Sequence, residues 1–466
     1  MATLDDIDHF VVLMLENRSF DNLLGNLYPG RADFEGLSGN ERNPDGQGGE
    51  VEVWTAPVGP RNDWLPTPDP GELFSDITEQ LFEANDSFAG TPTMGGFARN
   101  YVTRGGNAED IMHCFTPDQV PALSALARSY AVCDHWYASA PCQTWPNRFF
   151  VHTATAGGYE NNSPTHFPYT MPTIFNALDS KLPNGWEIYF HDFPQALTLS
   201  KLWNHLDHFR HFEEFINDAK HGQLPSYAFI EPRYFADADW PNDMHPPHNV
   251  NYGDQLVADV YNAVRNSPCW EKTMLIVIFD EHGGCYDHVP PPPALAPSPP
   301  REGQPFAFDR YGVRIPAVVV SPFIKPGTVF RSTSAQPFDH TSVIATLRTR
   351  FGLAEPLTQR DAAAPNLECV LGLDQPSDED REVVQALALP ASDNADALNR
   401  ARLEPLNDVQ WAMYESAAYL SPLMHGVDVD DHVLSLLNGL KPIVPLATSP
   451  SAAMPFIRNV LGKLLP

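Results

Sequence analysis

The chain has 466 residues, 43% of them hydrophobic, enough to bury a large core, so it is globular. Its 29 basic residues stand against 59 acidic ones, a net charge of −30, which argues against nucleic acid and anionic membrane surfaces as electrostatic partners. Six scattered cysteines without a CxxC pair are too sparse for a disulfide scaffold and lack zinc-finger spacing; Cys133 and Cys369 lie in apolar stretches and read as core residues.

The chain as written opens on MATLDD, without a basic n-region or an apolar h-region, and no run approaches the ~18 apolar residues of a membrane span. The expectation is a soluble protein, cytoplasmic as written, and secreted or periplasmic if a leader has been removed. Residues 8–15 (DHFVVLML) read as a buried strand that ends in Glu16, Asn17, Arg18, Ser19, Phe20 and Asp21. Residues 26–105 are rich in Gly, Pro, Asn and Asp, and the spacing predicts one amphipathic helix over 79–85 in an irregular excursion that roofs the site. Helical spacing returns at 118–130, then a strand at 131–136, a loop over 141–148 and a helix at 147–152. Residues 186–191 and Tyr227–Glu231 are further strands, 254–266 is an amphipathic helix, and Thr273–Phe279 (TMLIVIF) is a strand buried on both faces. A proline cluster at 290–300 suits neither helix nor central strand, and a strand at 314–321 and a helix at 340–350 follow it. Strands alternating with helices imply an α/β protein with a mostly parallel central sheet flanked by helices. Beyond residue 356 the chain turns acidic and alanine-rich with helices expected over 402–440, so the expected division is a main unit, 1–356, and a C-terminal helical appendage, 357–466, packed on it.

Asp280, Glu281 and His282 follow the Thr273–Phe279 strand at once, where an open α/β sheet forms its ligand crevice, and Gly283 and Gly284 let the chain turn and a ligand come close. Glu16, Asn17, Asp280 and Glu281 are all oxygen donors and suit a hard divalent cation (Ca²⁺, Mg²⁺ or Mn²⁺) better than a thiolate-rich zinc site, although Zn²⁺ stays open. The competing reading makes the two acidic pairs caps of the elements that follow. Cys142-Gln143-Thr144-Trp145-Pro146-Asn147-Arg148 contains Thr-x-Pro-x-Arg, with a threonine in the register where sulfatases carry a Cys-x-Pro-x-Arg nucleophile precursor at a helix start. A hydroxyl there sits in a positive field beside N–H groups that bind anions, and Arg148, one turn on, is placed to steady a phosphate. Thr144 also suits an N-cap before Pro146. His245 and His248 lie in a proline-stiffened loop and are candidates for binding phosphate oxygens or protonating a leaving group. His340 is a similar candidate with Asp339 as its orienter, and His113, Asn147 and His282 join Asn17 as candidates on the substrate side.

Glu16-Asn-Arg-Ser-Phe-Asp21, Thr144-Trp-Pro-Asn-Arg148, His245-Pro-Pro-His248 and Asp280-Glu-His-Gly-Gly284, in that order, resemble the bacterial phospholipase C/acid phosphatase phosphoesterases, a family that includes the plant non-specific phospholipases C. Asp287-His288-Val289 before the prolines and Phe338-Asp-His-Thr-Ser342 are similar as well, so the resemblance spans roughly residues 8–352. It implies an alkaline-phosphatase-like core in a catalytic unit over 1–356, and a covalent phospho-enzyme on Thr144 near a divalent metal at Glu16, Asn17, Asp280 and Glu281. It implies a phosphate ester as substrate, first a phosphodiester such as phosphatidylcholine and alternatively a phosphomonoester, with no nucleic acid and no transmembrane segment. A non-catalytic phosphate- or headgroup-binding relative would have lost the nucleophile or the carboxylates, and a sulfatase would need Cys or Ser at the Thr144 position. The chain as written departs from the expected family pattern in showing no secretion leader of the kind many bacterial members carry, in Cys142-Gln143 ahead of the residue matching the nucleophile, and in a region from 357 unlike the β-sandwich tails of the large haemolytic members.

Overall fold

The computed structural model describes residues 1–465 apart from 58–61, 84–89, 183–184, 300–303, 305, 380, 390–394 and 422–446. Among the described residues ten strands form: β1 (His9–Leu15), β2 (Arg42–Pro44), β3 (Glu50–Glu52), β4 (Ala131–Cys133), β5 (Trp186–Phe190), β6 (Phe209–His211), β7 (Tyr227–Glu231), β8 (Thr273–Phe279), β9 (Ala317–Val320) and β10 (Thr328–Phe330). Eight of them make one sheet in the order β10-β4-β9-β8-β1-β7-β5-β6, while β2 and β3 pair antiparallel apart from it. Every pairing in the large sheet is parallel except those of β9, which runs against both β8 and β4. The sheet is thus mostly parallel. All seven residues of β8 and all five of β7 are buried, as a sheet covered on both faces requires.

Helices lock to the sheet through polar caps as well as apolar faces. The Pro121–Ser129 helix lies against the Val250–Arg265 helix, and Asp254 of the latter accepts from the Ala122 and Leu123 amides at 2.9 Å each. In the C-terminal region the Asp408–Leu420 and Pro450–Leu464 helices pack together and place Met413 and Ile457 in the same hydrophobic cluster as the sheet. Gln410 Nε2 donates to the Tyr234 carbonyl at 2.6 Å, and the Tyr419 ring lies 5.2 Å from that of Phe167. Part of the helical stretch expected over 402–440 falls outside the described residues.

Several boundaries differ from the sequence reading. The helix expected over 79–85 forms as Phe74–Phe82, because Asp76 accepts the Leu73 amide at its start and Glu83 ends it with φ 59°; residues 84 and 85 fall outside the described set. The strand expected to reach 136 stops at Cys133, because both oxygens of the next residue, Asp134, bind Arg331 at 2.7 Å. Strands β6 and β10 are three residues each, too short for an alternation to register. Cys133 is buried as expected, whereas Cys369 is exposed on the short Leu367–Val370 turn, whose inward residues are Leu367 and Val370.

Candidate active site

Strands β1 and β8 run side by side with Leu15 opposite Phe279, so Glu16 and Asp280 leave the sheet together. The Asp280 amide donates to the Leu15 carbonyl at 3.1 Å, and Asp280 Oδ1 accepts from the Asn17 amide at 2.8 Å and the Glu281 amide at 2.7 Å. Asn17 holds a left-handed φ of 55°. Gly283 shares that region at φ 58°, and a Cβ on it would lie 2.3 Å from the Asn17 carbonyl oxygen, so glycine is required both for conformation and for close approach.

The Asn17 side chain is fully engaged. Its Nδ2 donates to Glu72 and, at 3.0 Å, to Nε2 of His245, while its Oδ1 accepts from Thr144 Oγ1 at 3.2 Å. Thr144 is buried and is the first residue of the Thr144–Thr153 helix; Gln143, extended at ψ −179°, holds the cap position, so the threonine hydroxyl is not spent on capping. Pro146 has no N–H and the Trp145 amide binds Asn162 Oδ1 at 2.8 Å, which leaves the Thr144 amide as the first-turn donor beside its own hydroxyl.

Beneath that hydroxyl lie buried carboxylates around one guanidinium. Arg148 Nε donates to Glu16 Oε1 at 2.9 Å and Nη2 to the Met14 carbonyl at 3.1 Å, while Asp280 Oδ2 stands 3.7 Å from Nε and Glu231 Oε2 3.8 Å from Nη1. Glu16 Oε2, Asp280 Oδ2, Glu281 Oε1 and Asp243 Oδ2 are buried without a hydrogen-bond partner. Burial, reinforced by Asp280, holds Glu16 well above the usual carboxylate range and lifts Glu281 to about 8; burial also raises Asp280 against the pull of Arg148. Such orphaned oxygens in a set made of oxygen donors fit a hard divalent cation. Glu16 and Asp280 flank Arg148, and among the described residues no three carboxylate or imidazole groups of this site approach within 4.8 Å of one another.

Two groups elsewhere do converge that closely. Asp21, Asp287 and His288 already share the Arg314 guanidinium, which binds the two carboxylates at 2.8 and 2.9 Å. Asp179, His205 and His208 gather at the opposite end of the sheet, before β5 and β6 begin.

The histidines divide by what holds them. His245 donates from Nδ1 to the Pro246 carbonyl at 2.7 Å and so presents Nε2 to Asn17; burial drops it to about 4. His248 donates from Nδ1 to Asp243 Oδ1 at 2.7 Å, and its ring lies 6.0 Å from that of His245. His340 donates from Nε2 to the Asp280 carbonyl at 2.6 Å, which fixes the backbone beneath the site. Asp339 does not orient it: the carboxylate caps Thr341, takes Ser139 Oγ at 2.9 Å and pairs with Arg360. His282 bridges Gln80 at 2.9 Å and Glu281 at 3.0 Å.

Two expected substrate-side residues are committed to other tasks. Asn147 Nδ2 donates to the Ala140, Cys142 and Gln143 carbonyls at 3.1, 2.8 and 3.2 Å, bracing the loop that delivers Thr144. His113 is wedged 4.7 Å from the rings of both Trp54 and Phe115. The sequence reading also passed over Glu72, Gln195 and Glu231. Glu72 accepts from Asn17 and from Gln143 at 3.1 Å, Gln195 donates to Glu16 at 2.9 Å, and Glu231 takes the Gln195 and Ala196 amides at 2.9 and 3.1 Å. Of these only Glu231, at a strand end, sat in a position that draws attention.

A family model described as "Phosphoesterase family" matches residues 7–354. The chain is 36% identical over 440 residues to non-specific phospholipase C3 of Arabidopsis thaliana, covering 89% of this chain and 82% of that one. It is 39% identical over 384 residues to non-specific phospholipase C1 of the same plant, covering 78% and 70%. Against the non-hemolytic phospholipase C of Burkholderia pseudomallei it is 28% identical over 416 residues, 75% of this chain and 56% of that one. A solved structure described as a protein in the alkaline phosphatase superfamily from Vibrio parahaemolyticus matches with a TM-score of 0.31 and 15% identity over 53% of this chain and 64% of that one, a likeness too slight to add to the sheet order. No helix among the described residues is long and apolar enough to cross a membrane.

Proposed function

We propose, from the premise that this chain belongs to the phosphoesterase family and is a phosphoric ester hydrolase, that it is a phospholipase C-type phosphodiesterase with Thr144 as its nucleophile. The observation that carries this reading is the buried Thr144 hydroxyl, uncommitted to capping, at a helix start and bonded at 3.2 Å to an amide that the carboxylate loop fixes in place. Thr144 Oγ attacks phosphorus and its proton passes to the carboxylate cluster, as the bond from phosphorus to the glyceryl oxygen breaks. His248, paired with Asp243, gives the leaving oxygen its proton. Water then attacks phosphorus and gives a proton to His248, the bond to Thr144 Oγ breaks as that oxygen takes its proton back from the carboxylate cluster, and the phosphorylated head group leaves. Arg148 acts as a positioning residue that keeps Glu16 and Asp280 apart and oriented. A divalent cation held by Glu16, Asn17, Asp280 and Glu281, Ca²⁺, Mg²⁺ or Mn²⁺ ahead of Zn²⁺, supplies Lewis-acid polarisation of the phosphoryl group when bound.

The test compares p-nitrophenyl phosphorylcholine with p-nitrophenyl phosphate as substrates for wild type and Thr144→Ala, with and without chelator. Turnover of the choline ester that vanishes in the variant and falls on chelation supports the reading. Turnover of the monoester alone makes the protein an acid-phosphatase-like enzyme, and unchanged activity in Thr144→Ala removes the nucleophile from the mechanism.

A further inference from the structure

Beside His248 a cavity of about 400 Å³ opens between three parts of the chain: Trp64 and Thr67 of the early excursion, the 236–248 loop, and residues 401–410 with Pro450 of the C-terminal region. Its walls are apolar. Trp64 meets Trp240 edge to face at 5.3 Å, Trp240 stacks on Tyr252 at 5.7 Å, and Pro241, Pro247 and Ala401 fill in around them. At its rim Asn407 Oδ1 takes the Gln410 amide at 2.8 Å and Gln410 Nε2 donates to Tyr234 at 2.6 Å, while Glu404 adds one exposed carboxylate. No Lys or Arg lines it among the described residues, so apart from His248 at the wall shared with the site it offers a phosphate no basic group.

Its place relative to the site decides its occupant. His248 is at once a wall of the cavity and the group bonded to Asp243, whose carbonyl accepts the Glu16 amide at 2.8 Å. From His248 the contacts run through His245 to Asn17 and then to Thr144. The cavity therefore continues the site on the side of His248, the side from which a leaving group departs. About 400 Å³ falls within the range that encloses a drug-sized ligand and far exceeds a trimethylammonium group.

We infer that this cavity is the subsite for the acyl-glyceryl half of a phospholipid, holding the proximal part of one acyl chain, and that the C-terminal region supplies one of its walls. The inference rests on the diesterase reading of Thr144. It gives residues 401–410 a part in substrate selection, since the main unit supplies the chemistry and the appendage closes the space the leaving group must fill.

The experiment uses the full chain and two substrates that share phosphorylcholine: p-nitrophenyl phosphorylcholine and dihexanoylphosphatidylcholine below its micelle threshold. Ala401→Trp fills the cavity from the appendage side, and Trp64→Ala opens it from the other. We expect Ala401→Trp to lower kcat/KM on the phospholipid at least about tenfold, mainly through KM, and to leave the p-nitrophenyl ester within about twofold. Trp64→Ala should raise KM for the phospholipid alone. Equal losses on both substrates would assign the cavity to the head group, and unchanged kinetics on both would leave it without a substrate role; either overturns the inference. A bromine-labelled monoacylglycerol provides a readout independent of turnover, quenching tryptophan fluorescence in wild type and much less in Ala401→Trp. Quenching in a protein that hydrolyses only p-nitrophenyl phosphate would retire the diesterase reading and keep the apolar site, whereas no quenching in wild type retires the site itself.

Discussion

Two acidic clusters grow from the same pair of loops, a few residues apart, and each contains one buried arginine. In the outer one, Asp21 and Asp287 close on Arg314, whose Nε, Nη1 and Nη2 all find acceptors and whose neighbour His288 bonds Asp21 as well. In the inner one, Glu16, Asp280 and Glu231 flank Arg148, whose Nη1 has no hydrogen bond, and Glu16, Asp280, Glu281 and Asp243 each keep one buried carboxylate oxygen without a partner. The outer cluster balances its own charge and acts as a clasp between β1 and the 287–314 segment. The inner one leaves buried carboxyl oxygens unsatisfied and their pKa values raised, which marks it as a candidate binding site.

The sharpest way to break this comparison is at the hydroxyl above the inner cluster. Thr144→Ala should lower kcat by about 10³-fold or more, with the thermal midpoint unchanged within about two degrees, because in the proposed mechanism the side chain is a reactant and only a minor packing element. A variant that keeps its activity would reduce the inner cluster to architecture. Next in size, Arg314→Met strands two buried carboxylates and should cost about 3–5 kcal/mol in urea unfolding. A loss below about 1 kcal/mol would mean that the outer clasp is looser than its geometry.

Glu281→Gln sharpens the contrast by moving stability and activity in opposite directions. In chelator at neutral pH it should stabilise the fold by about 1 kcal/mol, since burial lifts the Glu281 carboxyl to about 8 and folding must protonate it, a cost the amide does not carry. In the absence of chelator kcat/KM should fall about 100-fold, or about 2.7 kcal/mol in barrier. The smallest expected effect is a pH dependence of the clasp. Burial opposes it, yet the bond to Asp21 holds His288 above the usual imidazole value, and against burial Arg314 and His288 hold Asp21 below the usual carboxylate range. The His288 contribution is therefore full below its unfolded pKa of about 6.5 and fades as pH rises through the folded value. The Asp21 contribution is full above its unfolded pKa of about 3.9 and fades as pH falls through its folded value. His288→Gln should thus lose most stability, about 1 kcal/mol, between pH 4 and 6.5, and converge on wild type at higher pH in urea titrations.

What could be read from the chain beforehand followed periodicity and strand ends. Thr273–Phe279 and Tyr227–Glu231 form with the bounds their apolar runs define, and the polar groups that follow β1 and β8 meet because parallel neighbours in register deliver their C-terminal ends to one place. Glu72 stayed hidden, because it reaches Asn17 from an aperiodic loop whose partner is 55 residues away. Asn147 looked like a ligand of phosphate for the opposite reason. It sits inside a motif, and only the three carbonyls around its Nδ2 reveal that its task is to shape the loop. Asp287 and His288 share the residue types of the inner cluster, and Arg314, which closes them, arrives from 26 residues further on.

Gly283 sits where a single added carbon would strike the Asn17 carbonyl at 2.3 Å, while Ala401 and Trp64 line a cavity with room to spare. The two places differ in how far they can drift over generations. The Gly283 loop has no room for one added carbon, whereas the wall proposed to meet the acyl-glyceryl half can change residue by residue without disturbing that loop. A laboratory library aimed at new esters belongs at the same wall, on residues 64, 240 and 401.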